Sequence, residues 1–220
     1  MQYLLILVLI TTALSCSTDH TPYPYITNLP ADFNSEQPSP LLIFLHGSGE
    51  RGEDIEKVKV HGPPKLAAND SRSFPAILIS PLCPKDVSWN VDRLEATLSE
   101  VKSKYNIDAS RIYLTGLSMG GYGTMAWAYQ HPEHFAALAP ICGGTVNEKR
   151  TEAIKSIPLW AFHGAKDQVV PIDKTNEYIA SLRAAGADPK YTIYPEAYHD
   201  SWTETYDNPE LWEWMFAQKR

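Results

Sequence analysis

Six short apolar runs, set between stretches of helical periodicity, constrain this chain more than any other feature of it. They are Leu41–Leu45, Ala76–Ser80, Arg111–Thr115, a run within Phe135–Ile141, Pro158–Phe162 and Tyr191–Tyr194. Continuous rather than alternating apolarity suits strands that are covered on both faces, as in a parallel sheet. The intervening stretches carry helical stripes. Leu94, Leu98 and Val101 follow one another at i, i+4 and i+7, with Asp92 as N-cap. Tyr178, Ile179 and Leu182 form a second stripe between Asp173, read as its cap, and Gly186 just past its end. Leu211, Trp212, Met215 and Phe216 form the last. Strands that alternate with helices imply an α/β fold, a doubly wound, mostly parallel sheet with helices on both faces. Ligands then bind beyond the carboxyl ends of the strands.

The start of the chain is of a different kind. Tyr3 to Ile10 is unbroken apolar sequence, too short for the ~20 residues that span a bilayer. Residues 1–15 read as a signal peptide. Two ways of processing it stay open. Ala13 and Ser15 form a small-x-small cleavage site for plain secretion, periplasmic or extracellular. Leu14-Ser15-Cys16 resembles a bacterial lipobox, with Ala13 where Leu is usual, so that a lipidated Cys16 would anchor the protein to the outer membrane. Residues 16–24 then read as a tether, Tyr25–Thr27 as one short extended piece, and 25–220 as a single catalytic domain. Cys83 and Cys142 are either a disulfide or two buried thiols. The net charge of −7 argues against a nucleic-acid partner, and the only membrane contact expected is through the lipid.

Gly116-Leu117-Ser118-Met119-Gly120 follows the third apolar run and opens a helical pattern. This is G-x-S-x-G in the strand–turn–helix setting that the nucleophile elbow requires. A serine hydroxyl needs an adjacent base, and in this arrangement acid and base follow the nucleophile along the chain. His199 lies beyond the sixth run and is the expected base. Asp167 lies beyond the fifth and is the expected acid, with Glu196 in reserve; Asp200 is too close to His199 to reach its ring. Of the other histidines, His46 and His163, each before a Gly at a strand end, are read as bracing loops by hydrogen bonds, His20 lies in the tether, His61 is read as a surface residue, and His131 and His134 come too early to serve as base. The oxyanion hole takes the backbone N–H of Met119 and, from the glycine-rich loop after the first run, that of Ser48, with Gly49 as the alternative. Glu50 and Arg51 are read as a local ion pair or as solvated charges. Trp89, Trp202 and Tyr122 are candidate substrate contacts. No cofactor is expected, and no metal, because no His/Cys/Asp cluster has ligand spacing along the sequence.

The segments HGSGERG, SPLCPKDVSW, KYNIDASRIYLTGLSMGGYGTM, HGAKDQVVP and YHDSWTETYDNPELWEWM resemble the small bacterial α/β-hydrolases known as predicted peptidases. These are similar to polyhydroxybutyrate-depolymerase-like and feruloyl-esterase-like carboxylesterases. The likeness runs over about residues 25–218. It implies an α/β-hydrolase fold that is N-terminally shortened, lacks the first strand and has no large lid, with Ser118, Asp167 and His199 as the triad. The function it implies is hydrolysis of extracellular small-molecule or polysaccharide-linked esters, acetyl or feruloyl-type groups among them, through an acyl-enzyme. A serine peptidase and a non-catalytic binding module are the alternatives.

Overall fold

The computed structural model describes residues 19–145 and 151–220. The expected signal peptide and Cys16 lie outside the described residues. Among those described, no helix is long and apolar enough to cross a membrane.

The six apolar runs and the extended piece at Tyr25 form one seven-stranded sheet: β1 (Tyr25–Asn28), β2 (Ser39–Leu45), β3 (Ile77–Pro81), β4 (Ile107–Leu117), β5 (Ala137–Ile141), β6 (Trp160–Gly164) and β7 (Lys190–Tyr194). Their spatial order is β1-β3-β2-β4-β5-β6-β7. Only the edge strand β1 runs antiparallel, with Tyr25 opposite Pro81. The chain leaves β2 to form β3 on one side, then crosses back to form β4 on the other. That reversal opens a crevice beyond the carboxyl end of β2.

Period-two alternation sends β2 side chains into two cores. Leu41, Ile43 and Leu45 pack under α2 (Val91–Lys104), α3 (Met119–Gln130) and α5 (Asp173–Ala184). Leu42 and Phe44 face the layer holding α1 (Gly62–Ala68), α6 (Trp202–Asp207) and α7 (Pro209–Phe216). The short α4 (Thr151–Ile154) joins the first layer through Ile154. In the inner strands both faces are buried, which is why those strands read as continuous apolar runs. The described residues hold no large lid.

Several local expectations need correction. The strand read at Arg111–Thr115 begins earlier, because Ile107 pairs with Ser39 and the extra residues of β4 before Ile112 form a bulge. Asn90, not Asp92, caps α2 by accepting from the Arg93 amide. Asp173 is the first residue of α5 rather than its cap, and its carboxylate accepts from the Asn176 side chain. At the far end of α5, Gly186 has φ +84, and the amides of Gly186 and Ala187 donate to Arg183 O and Leu182 O. Those two bonds are a Schellman ending, so the glycine signal there marked the real stop.

The tether is shorter than 16–24. Tyr23 is buried in the core, its hydroxyl accepts from the Asn90 amide, and the Arg93 guanidinium lies 4.2 Å over its ring. Cys83 and Cys142 are separate buried thiols. Burial pushes them up to about 11 and about 12, so neither is a thiolate at neutral pH.

Candidate active site

The elbow is a steric construction. Ser118 sits between β4 and α3 with φ 51 and ψ −116, a conformation a non-glycine residue adopts only under constraint. The constraint comes from close backbone packing. A Cβ on Gly120 would lie 1.9 Å from Leu45 O, and one on Gly116 would lie 2.4 Å from Gly120 O. Without those glycines the turn could not sit on β2. Ser118 therefore projects at the crevice, with the N-terminus of α3 directly behind it.

The other two expected residues reach Ser118 from loops more than 40 residues away. The Ser118 hydroxyl donates to His199 Nε2 at 3.0 Å, and His199 Nδ1–H donates to Asp167 Oδ2 at 2.7 Å. Asp167 Oδ1 accepts from the amides of Val169 and Val170 at 2.8 and 2.9 Å. Its side chain is fully buried, yet four contacts hold the carboxylate, since His163 Nε2 stands 3.2 Å from Oδ2. Glu196, the reserve acid, is exposed and bonded to Lys166. Asp200 turns to the amide and hydroxyl of Thr203 at the start of α6.

His163 braces its loop as expected and also reaches Asp167. Its Nε2–H points at Val170 O, 2.9 Å away, as well as at Asp167, and its Nδ1 is 2.8 Å from Thr175 Oγ1. Burial pushes its pKa below the usual histidine range, so it stays a neutral donor. No motif in the sequence marks this link between His163 and Asp167.

His46 braces the glycine-rich loop as expected. Nδ1–H donates to Gly47 O at 2.6 Å, and Nε2 accepts from the Cys83 amide at 3.0 Å. Burial lowers its pKa to about 4. Arg51 holds the same loop through Ser48 O and Val87 O, both at 3.0 Å. It does not pair with Glu50, which turns inward. His61 approaches Glu50 Oε1 at 3.7 Å and is half-buried rather than a surface residue. The loop runs close beside the nucleophile, since a Cβ on Gly47 would be 3.7 Å from Ser118 Cβ.

A cleft of about 410 Å³ opens at Ser118, lined by Ser88, Trp89, Met119, Tyr122, Gly123 and Ala126. Gly123 leaves room for Trp89 and Gly144 for Tyr122; a Cβ on either would meet the ring at 2.8 Å. Trp202, the third expected contact, is elsewhere. It packs edge-on to His199 at 5.2 Å and against His61 at 5.3 Å, outside this cleft. It is placed to fix the His199 ring rather than to line the cleft.

The sequence shows no His/Cys/Asp cluster at ligand spacing, but packing brings a candidate set together. Glu95, His131 and His134 bring one ligand atom each within 4.8 Å of the others. Glu95 comes from a different helix, so only packing reveals the set.

The profile of the Dienelactone hydrolase family matches residues 67–210. The chain is 30% identical over 152 residues to the bifunctional acetylxylan esterase/xylanase XynS20E of Neocallimastix patriciarum, covering 66% of this chain and 22% of that protein. It is 26% identical over 161 residues to the probable feruloyl esterase C of Aspergillus flavus, covering 68% and 56%. It therefore spans about a fifth of the first relative and just over half of the second. The crystal structure of a thermostable esterase superposes with TM-score 0.76 at 36% identity, over 90% of this chain and 59% of that one. With the matched profile covering more than half of the sequence, and the α/β-hydrolase sheet and elbow in place, the chain belongs to the dienelactone hydrolase family.

Proposed function

We propose that this protein is a serine carboxylic-ester hydrolase that works through an acyl-enzyme. The observation that carries the reading is the hydrogen-bond chain from Ser118 through His199 to Asp167, set at the mouth of an aromatic-lined cleft. Ser118 Oγ attacks the ester carbonyl carbon while His199 Nε2 takes its proton. Asp167 holds the ring so that Nδ1 keeps its proton, and stabilises the imidazolium without taking that proton itself. The oxyanion is met by the backbone N–H of Met119 and, from the adjacent loop, that of Ser48; one such donor contributes ~3 kcal/mol. His199 then protonates the leaving alkoxide. Water, deprotonated by His199, releases the acid and restores Ser118.

The substrates proposed are acetyl or feruloyl-type esters, including those on polysaccharides. Two relatives carry the names acetylxylan esterase and feruloyl esterase, and the walls formed by Trp89, Met119 and Tyr122 suit a planar aromatic acyl group. Turnover of p-nitrophenyl acetate, methyl ferulate and peptide anilides, compared side by side, tests this. Both esters are expected to be cleaved, the anilides at least ~100-fold more slowly, and Ser118→Ala is expected to fold but to keep under ~1% of activity. Anilide cleavage that matched ester cleavage would turn the assignment to a peptidase. Full activity in Ser118→Ala would remove the mechanism.

A further inference from the structure

A second group of side chains lies at the opposite end of the nucleophile helix. Twelve residues of α3 separate Ser118 from His131, about 18 Å at 1.5 Å per residue. His131 follows the last helical residue, Pro132 prevents continuation, and the 3-10 turn Pro132–His134 brings His134 back beside it. The two imidazoles stack with centroids 5.7 Å apart and planes within 12°. Glu95 reaches them from the middle of α2.

We propose that Glu95, His131 and His134, with the adjacent Glu133 or solvent completing the shell, bind a divalent transition-metal ion of the zinc type, independently of ester hydrolysis. Glu95 Oε2 lies 3.0 Å from His134 Nε2 and 3.9 Å from His131 Nδ1. Glu133 Oε1 lies 3.3 Å from His131 Nδ1 and 3.9 Å from His134 Nε2. Ligands at ~2.1 Å in a tetrahedron are ~3.4 Å apart, and the histidine–carboxylate separations here bracket that value. Three ligand atoms, from Glu95, His131 and His134, all within 4.8 Å of one another form a partial cage, whereas an ordinary ion pair needs only one contact.

Two further features suit a cation. The Trp127 indole N–H donates to Glu95 Oε1, which fixes the carboxylate and leaves Oε2 for the metal, as an outer partner does in metal sites. The cage also caps the C-terminal end of α3, where the helix dipole favours positive charge. Two imidazole nitrogens with carboxylate oxygen are a borderline set that zinc accepts and that magnesium and calcium disfavour. A bound ion would clamp α2 to the end of the helix that presents Ser118.

The test is zinc titration of the full chain, purified without a polyhistidine tag and stripped with chelator, by calorimetry and thermal unfolding. One equivalent is expected to bind, with a rise in Tm of about 5 °C at saturating metal. His131→Gln and His134→Gln should each weaken binding at least ~10-fold and abolish the Tm rise, while retained ester hydrolysis shows that they fold. Glu95→Gln should weaken it similarly. His199→Gln should leave the equivalent intact, which separates this site from the catalytic histidine. Zinc affinity unchanged by His134→Gln, or an equivalent lost in His199→Gln, would overturn the proposal.

Discussion

His163 Nε2 stands 3.2 Å from Asp167 Oδ2, the same oxygen that accepts from His199 at 2.7 Å. Asp167 is thus shared between two imidazoles, one facing Ser118 and one sealed in the core. The buried histidine, kept neutral, is a positioning residue that acts through the carboxylate. His163→Gln is expected to lower kcat about 10-fold. Losing one donor leaves more charge on Asp167 for the His199 imidazolium, so the acid limb of the kcat/KM profile should move to higher pH. A lower Tm with an unmoved pH profile would reduce His163 to packing alone.

His46 gives a pH prediction for stability. Its pKa is lowered to about 4 in the fold, against 6.5 unfolded, chiefly by burial. Between those values the unfolded chain binds a proton that the native state does not, so stability rises with pH. The contribution is complete above pH 6.5 and is lost as pH falls towards 4, by roughly 3 kcal/mol at 1.36 kcal/mol per unit. Urea midpoints measured from pH 7 to 4 should fall more steeply in the wild type than in His46→Gln. Parallel slopes would show that the acid sensitivity lies elsewhere.

The elbow glycines are a matter of space. Gly120→Ala places a methyl 1.9 Å from Leu45 O, a backbone atom of a central strand that cannot give way. A loss of more than ~3 kcal/mol, or failure to fold, is expected. Gly49→Ala is the control, since nothing lies within 4 Å of the added carbon, and its stability should stay within ~0.5 kcal/mol of wild type. Equal urea midpoints for the two variants would contradict the steric account.

We also propose that the protein is exported and anchored through Cys16. Several acyl chains, at ~0.8 kcal/mol per buried methylene, hold a protein firmly at a membrane. Expressed in a bacterial host, the wild type should sediment with membranes and Cys16→Ala should be released. Equal release of both would favour plain secretion.

The sequence by itself determined what is local. The elbow is one strand, one turn and one helix in unbroken succession from Ile107 to Gln130, so its glycines and Ser118 were readable in order. The inner strands were readable because burial on both faces leaves continuous apolar runs. Gly186 was readable because its left-handed φ serves a local hydrogen-bond pattern. Chain order also placed Asp167 and His199 after strands of the same sheet. Only the tertiary structure decided what depends on distance between elements. Trp202 could be placed after His199 in sequence, but only packing sets it edge-on to His199 and beside His61 rather than among the residues that line the cleft with Trp89 and Tyr122. Tyr23 read as tether because its partners, Asn90, Arg93 and Thr97, lie on α2 more than 60 residues away. The closeness of His163 to Asp167, and of Glu95 to His131 and His134, arises because packing fixes side-chain separations to tenths of an ångström, whereas sequence spacing fixes them only within a single element.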